Sequence, residues 1–250
     1  MAVKTAVQEA LSGLVEDLRS THADNLASVV LYGSAAAGDN VELRSDYNLL
    51  IALNHITPED LRLAQAPMRE WQRLGHPLPV YFTVEELSDA ADVFPIEFHQ
   101  MANARMVLYG HDPFEFVKLS DVNLRHQTEY ELRSKLIQLR RLYIPASVSI
   151  EQLCDLMTDS LASFAALFRA VLLLFGQQAP VAKPDCVRAT ARLLKLEQAP
   201  FERIFELRNE INLPSSVREA NELFASYMLQ IEHVVEAVDE LTLDKMGDLK

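Results

Sequence analysis

Every run that reads as a β-strand lies in the first 110 residues, and from Leu119 onward apolar residues recur every three or four positions with no strand pattern. A chain divided in this way has to build its sheet from the N-terminal part and a helical assembly from the rest. Ala27 to Tyr32 is a short β-branched and apolar run that stops at Gly33 and Ser34, and Tyr47 to Leu53 is a second. Pro77 and Pro79 frame a third strand, Leu78 to Thr83, and Met106 to Tyr109, closed by Gly110, is a fourth. Val7, Leu11, Leu14 and Leu18 share one face of an opening amphipathic helix. Thr57 is the expected cap of a helix with Pro58 in its first turn, running to Gly75, and another helical stretch has Pro95 near its start. Strands and helices in this order predict an α/β or α+β domain over residues 1–117.

Residues 118–250 predict an all-α domain. Leu132, Leu136, Leu139 and Leu142 mark one long helix, and Leu153 to Phe175 marks another, ended by Gly176 and followed by Pro180. Further helices are expected near Val187 to Leu196, Phe201 to Asn212 and Val217 to Leu241, giving an antiparallel bundle with short connections. The richest apolar stretch, Leu161 to Phe175, is interrupted by Arg169 and reads as a buried bundle helix rather than a membrane span. With no signal-peptide pattern at the N-terminus, a cytoplasmic location and no membrane partner are the expectation. Cys154 and Cys186 form neither a disulfide framework nor a metal-ligand spacing. A formal net charge of -13 argues against duplex nucleic acid as a partner, because phosphate contacts need a basic surface. Small ligands or another protein are the expected partners.

The segment from Leu31 to Leu53 carries the chemistry. A strand ends in Gly33-Ser34, Gly38 follows, and about a dozen residues on the next strand opens with Ser45-Asp46-Tyr47-Asn48. This pattern resembles the polymerase-β-like nucleotidyltransferase superfamily, the group that includes aminoglycoside and minimal nucleotidyltransferases. There a strand ending in Gly-Ser leads into a helical turn, and the next strand presents Asp-x-Asp. Phe94 to Phe98, Val107 to Pro113 and Leu124 to Arg140 are similar to a bacterial group of nucleotidyltransferase-like proteins, so the resemblance spans roughly residues 28–175. It implies an α+β fold: a mixed sheet with flanking helices, followed by a C-terminal helix bundle.

The resemblance also implies a site. Gly33 and Ser34 match a phosphate-binding turn, whose small residues let backbone N–H groups approach a nucleotide closely. Asp46 matches the first metal carboxylate, since carboxylates at i and i+2 of one strand share a face and together hold magnesium. Asn48 departs from the pattern: its carbonyl can ligate a cation but brings no charge. A third carboxylate is expected on Leu78 to Thr83, which carries none; Glu85 and Glu86 follow and are expected to cap or begin the next helix, folding back as a metal ligand being the lesser alternative. Arg133 and Arg140, seven residues apart on one helix face, are candidates for a triphosphate, although Glu129 stands four residues before Arg133 and pairing between them is the simpler expectation. Glu97 is expected as a buried partner of an arginine, or as a relocated acid. The helical half resembles the bundles that accompany minimal nucleotidyltransferases, including HEPN-type domains, but Arg208 has no histidine after it at the ribonuclease spacing, so RNA cleavage is disfavoured.

Three functions follow as expectations. The first is a nucleotidyltransferase-like protein, impaired in two-metal transfer and acting by binding an NTP or a protein partner. The second is an active magnesium-dependent transferase moving a nucleoside monophosphate from NTP to a small molecule or protein hydroxyl. The third is a structural module whose bundle mediates homo-oligomerisation. Whether the chain is an enzyme is left open by the residues themselves.

Overall fold

The computed structural model describes residues 2–33, 35–36, 47–180 and 182–241, with side chains from residue 9 onward. It is an α+β protein dividing into two compact units, residues 1–120 and 121–250. The first holds α1 (Ala2–His22), β1 (Leu26–Tyr32), β2 (Asn48–Leu53), α2 (Pro58–Leu63), α3 (Gln65–Arg73), β3 (Val80–Thr83), α4 (Val84–Asp89), α5 (Pro95–Asn103) and β4 (Arg105–Gly110). The strands form one mixed sheet in the order β3-β2-β1-β4. β1 runs antiparallel to β2 and β4, while β3 is parallel to β2.

Both faces of this sheet are covered, which is why β1 and β2 read as nearly continuous apolar runs rather than as alternating ones. On one face Val29, Leu31, Leu49, Ile51 and Leu53 pack with Leu11, Leu14 and Leu18 of α1 and with Met68 and Trp71 of α3. On the other, Val30, Leu50 and Ala52 pack with Leu87 of α4, Phe98 and Met101 of α5, and Phe114. Each fully buried leucine or isoleucine of β2 contributes about 1.5–3 kcal/mol by leaving water, so the strand's register is strongly specified.

Two expected elements are shorter than the sequence suggests. The single helix expected from Thr57 to Gly75 is two, because Pro67 has no N–H to continue the ladder toward Leu63; Thr57 caps the first by accepting from the Asp60 amide while Asp60 accepts from its own. The third strand begins at Val80 rather than Leu78, since Pro77 and Pro79 cannot donate to a neighbouring strand.

The second unit contains α6 (Asp121–Ala146), α7 (Ile150–Leu174), α8 (Lys183–Leu193), α9 (Ala199–Arg208) and α10 (Val217–Asp239). α7 is long and apolar enough to cross a membrane by length and composition, yet its buried side chains, among them Leu153, Leu161, Phe164, Phe168 and Val171, form the core of this unit. Phe201 lies edge-on to both Phe168 and Tyr227, and Tyr143 of α6 stacks on Phe224 of α10 at 4.2 Å. Those contacts fix a specific packing rather than a generic apolar interior.

Candidate functional site at one end of the sheet

The topology gathers four strand termini at one end of the sheet: the end of β1 and the starts of β2, β3 and β4. There Tyr32 pairs with Asn48 on one side and with Arg105 on the other. Alternation along the strands places all three on the face shared by Val30 and Leu50. Gly33 follows Tyr32 with φ of 82°, a left-handed conformation that a side chain would strain, and this turns the chain out of the sheet. Its carbonyl accepts from the Ala36 amide at 3.0 Å, closing a tight turn. A Cβ added at Gly33 would come within 3.6 Å of Asn48 Nδ2, so the Asn48 carboxamide lies alongside the glycine turn.

The Gly33 amide donates to the Ala104 carbonyl at 2.9 Å, which leaves that N–H committed to the α5–β4 corner. The corner is held by Arg105. Its Nε and Nη2 donate to Asp112 at 2.9 and 2.7 Å, its Nη1 donates to the Ala102 carbonyl, and its guanidinium lies 5.5 Å from the centre of the Phe114 ring. Asp112 also accepts from the Phe114 amide. Burial is the largest single effect on the Asp112 carboxyl and raises its pKa, but the hydrogen bonds from Arg105 and the Phe114 amide, together with the Arg105 charge, outweigh it and hold the group below the ordinary carboxylate range. Burial likewise pushes the Tyr32 phenol up.

Of the residues implicated by sequence, Gly33 and Asn48 meet at this end of the sheet, whereas Ser34, Gly38 and Asp46 lie outside the described residues. Glu86 is used as a cap: it accepts from the Thr83 amide at 2.8 Å while Thr83 accepts from the Glu86 amide. Glu97 is exposed on α5, not buried as expected. Arg133 pairs with Glu129 at 2.8 Å and with Asp239 at 2.9 Å, and Arg140 with Glu232 at 2.7 Å, all within the helical unit. A triphosphate reaching either arginine would have to displace those carboxylates.

The donor set can be compared with the demands of two divalent ions. Hard cations take oxygen ligands and draw most of their affinity from carboxylates. β3 supplies Val80, Tyr81, Phe82 and Thr83, and Asn48 supplies a neutral amide. Among the described residues no three His, Cys, Asp or Glu side chains converge as a metal-holding group. Of the motif's oxygen donors, the described residues thus supply the Asn48 amide, while Asp46 lies outside them.

Two features of this end of the sheet escape the sequence reading. One is the Arg105–Asp112 staple, signalled only by opposite charges at the first residue of β4 and just beyond its end. The other is an aromatic group, Tyr47, His76 and Trp71, discussed below; its signal was a histidine placed just after the glycine that ends α3.

No protein-family model matches the chain, and no curated protein matches it by sequence. Among solved structures, it is similar to spectinomycin adenyltransferase AAD(9) from Enterococcus faecialis, determined with ATP and spectinomycin: 14% identity, TM-score 0.58, covering 93% of this chain and 99% of that one. The likeness extends across both units and establishes a nucleotidyltransferase-like fold with a C-terminal helical part.

Proposed function

We propose that this chain binds a nucleoside triphosphate at the end of the sheet where β1 stops and β2 starts, and that two-metal nucleotidyl transfer is impaired there. The observation that carries the reading is Asn48: a neutral carboxamide lies against the Gly33 turn, next to a β3 without a carboxylate. Gly33 adds no side chain of its own at the turn, and the Asn48 amide beside it offers an N–H where a carboxylate would repel a phosphate. Asp46, two residues before Asn48, is the one acid the motif retains.

A second reading is supported by the fold's likeness to an adenyltransferase solved with ATP. In it the chain moves a nucleoside monophosphate from NTP, with magnesium, to a small-molecule or protein hydroxyl. The two readings separate on turnover. Calorimetric titration with ATP, GTP, CTP and UTP, with and without magnesium, is expected to show binding of at least one nucleotide. Incubation with that nucleotide is expected to release no pyrophosphate above a protein-free control. Pyrophosphate release abolished by Asp46→Ala would establish the active transferase instead, and no binding of any nucleotide would leave the chain as a scaffold.

A further inference from the structure

The residue between Asp46 and Asn48 is Tyr47, and it is anchored. Its ring meets His76 edge-on, with centroids 5.0 Å apart and planes at 77°. His76 in turn lies over Trp71, 4.2 Å away and tilted by 38°. The sequence builds this group locally. Gly75, at φ of 90°, ends α3 in a left-handed turn that folds the chain back over its last helical residues. The Trp71 indole N–H then donates to the Pro77 carbonyl at 3.0 Å, tying the turn to the buried ring it covers.

We infer that Tyr47, His76 and Trp71 form a positioning unit for the start of β2, holding Asn48 in place for the ligand. The inference rests on the nucleotide-binding reading above. Side chains alternate along a strand, so Tyr47, which packs with Leu49 and Ile51 against α1 and α3, and Asn48 leave β2 on opposite faces. Tyr47, the residue immediately before β2, is tied to the core. Without its ring the segment entering β2 loses its apolar anchor, and the direction of the Asn48 side chain is no longer set from beneath. None of the three aromatic residues needs to touch the ligand. Sites whose supporting residues are not locked lose affinity even when every contacting group is present.

Trp71 is the only tryptophan in the chain, so its fluorescence reports on this unit alone. ATP titrated into the full-length protein is followed by Trp71 emission and, in parallel, by calorimetry. The expected result is an emission change in the wild type with the calorimetric midpoint. In Tyr47→Leu the emission change is lost and ATP binds about tenfold more weakly, the size typical of removing a supporting contact, while Tyr47→Phe restores both. If Tyr47→Leu does not fold, His76→Leu with His76→Phe as its rescue makes the same comparison. Wild-type affinity in the leucine variants, a weakened affinity that the phenylalanine variants do not restore, or an emission that stays silent while calorimetry records binding would each overturn the inference. Failure of the wild type to bind any nucleotide is the separate outcome that removes the underlying reading.

Discussion

Gly110 shows how much one residue can carry. It ends β4 at φ of 77°, and a Cβ there would collide with the backbone carbonyl of Ala27 across the β1–β4 pair. Because the obstacle is backbone, no rotamer relieves it. Gly110→Ala is expected to cost about 2–4 kcal/mol, combining left-handed strain with displaced pairing, measured as a lower urea midpoint. His22 sets a pH dependence. Its ring is buried, both nitrogens lack a hydrogen-bond partner, and it lies edge-on to Tyr81, whose hydroxyl is also buried without one. Burial lowers the His22 pKa below 6.5, with Asp60 opposing in part. The folded state therefore favours neutral imidazole. The stability tied to that neutral ring is complete above the unfolded value of about 6.5 and declines as pH falls below it. Thermal melts are expected to show a falling midpoint from pH 7 to pH 5 that is shallower in His22→Phe; equal slopes in the two proteins would remove His22 as the cause.

Among the elements, α7 carries the greatest packing load. Phe168 is fully buried and meets Phe201 edge-on at 6.5 Å. Phe168→Ala is expected to cost about 3–5 kcal/mol, the range for emptying an aromatic core position, read from equilibrium unfolding followed by helical circular dichroism. The elements legible in the sequence are those whose environment is uniform. β1 and β2 are buried on both faces and so read as plain apolar runs, and α7 and α10 carry helical stripes, the first of them closed by Gly176 and Pro180, whereas the caps Ser149 and Ser216 that start them escape the sequence reading. What was hidden depends on backbone chemistry or on distant partners. Pro67 divides one periodic stretch into two helices, and Pro77 and Pro79 shorten β3. The partners of Arg133 and Arg140 on α10, Asp239 and Glu232, stand about a hundred residues downstream, where no local pattern can announce them. Within the candidate site, a local motif singles out Gly33 and Asn48, which the sheet brings side by side. The Tyr47–His76 contact and the tie from Gly33 to Ala104 exist only because the sheet brings separated strands to one edge.

At the scale of the whole molecule, two self-contained cores stand in sequence, one built on a sheet and one on α7. The fold matches that of an adenyltransferase over both units, and in the sequence Asn48 stands two residues after Asp46. On the proposed reading the nucleotide is bound without a metal pair. The most direct test is the ratio of ATP dissociation constants measured without and with magnesium, in the wild type and in Asn48→Asp. Restoring the carboxylate adds a charged oxygen ligand for a hard cation while placing a negative charge against the phosphate. The account predicts a ratio within about threefold of one for the wild type, and at least about tenfold tighter binding with magnesium for Asn48→Asp. A wild type that binds ATP only when magnesium is present, with no further gain in Asn48→Asp, would contradict it.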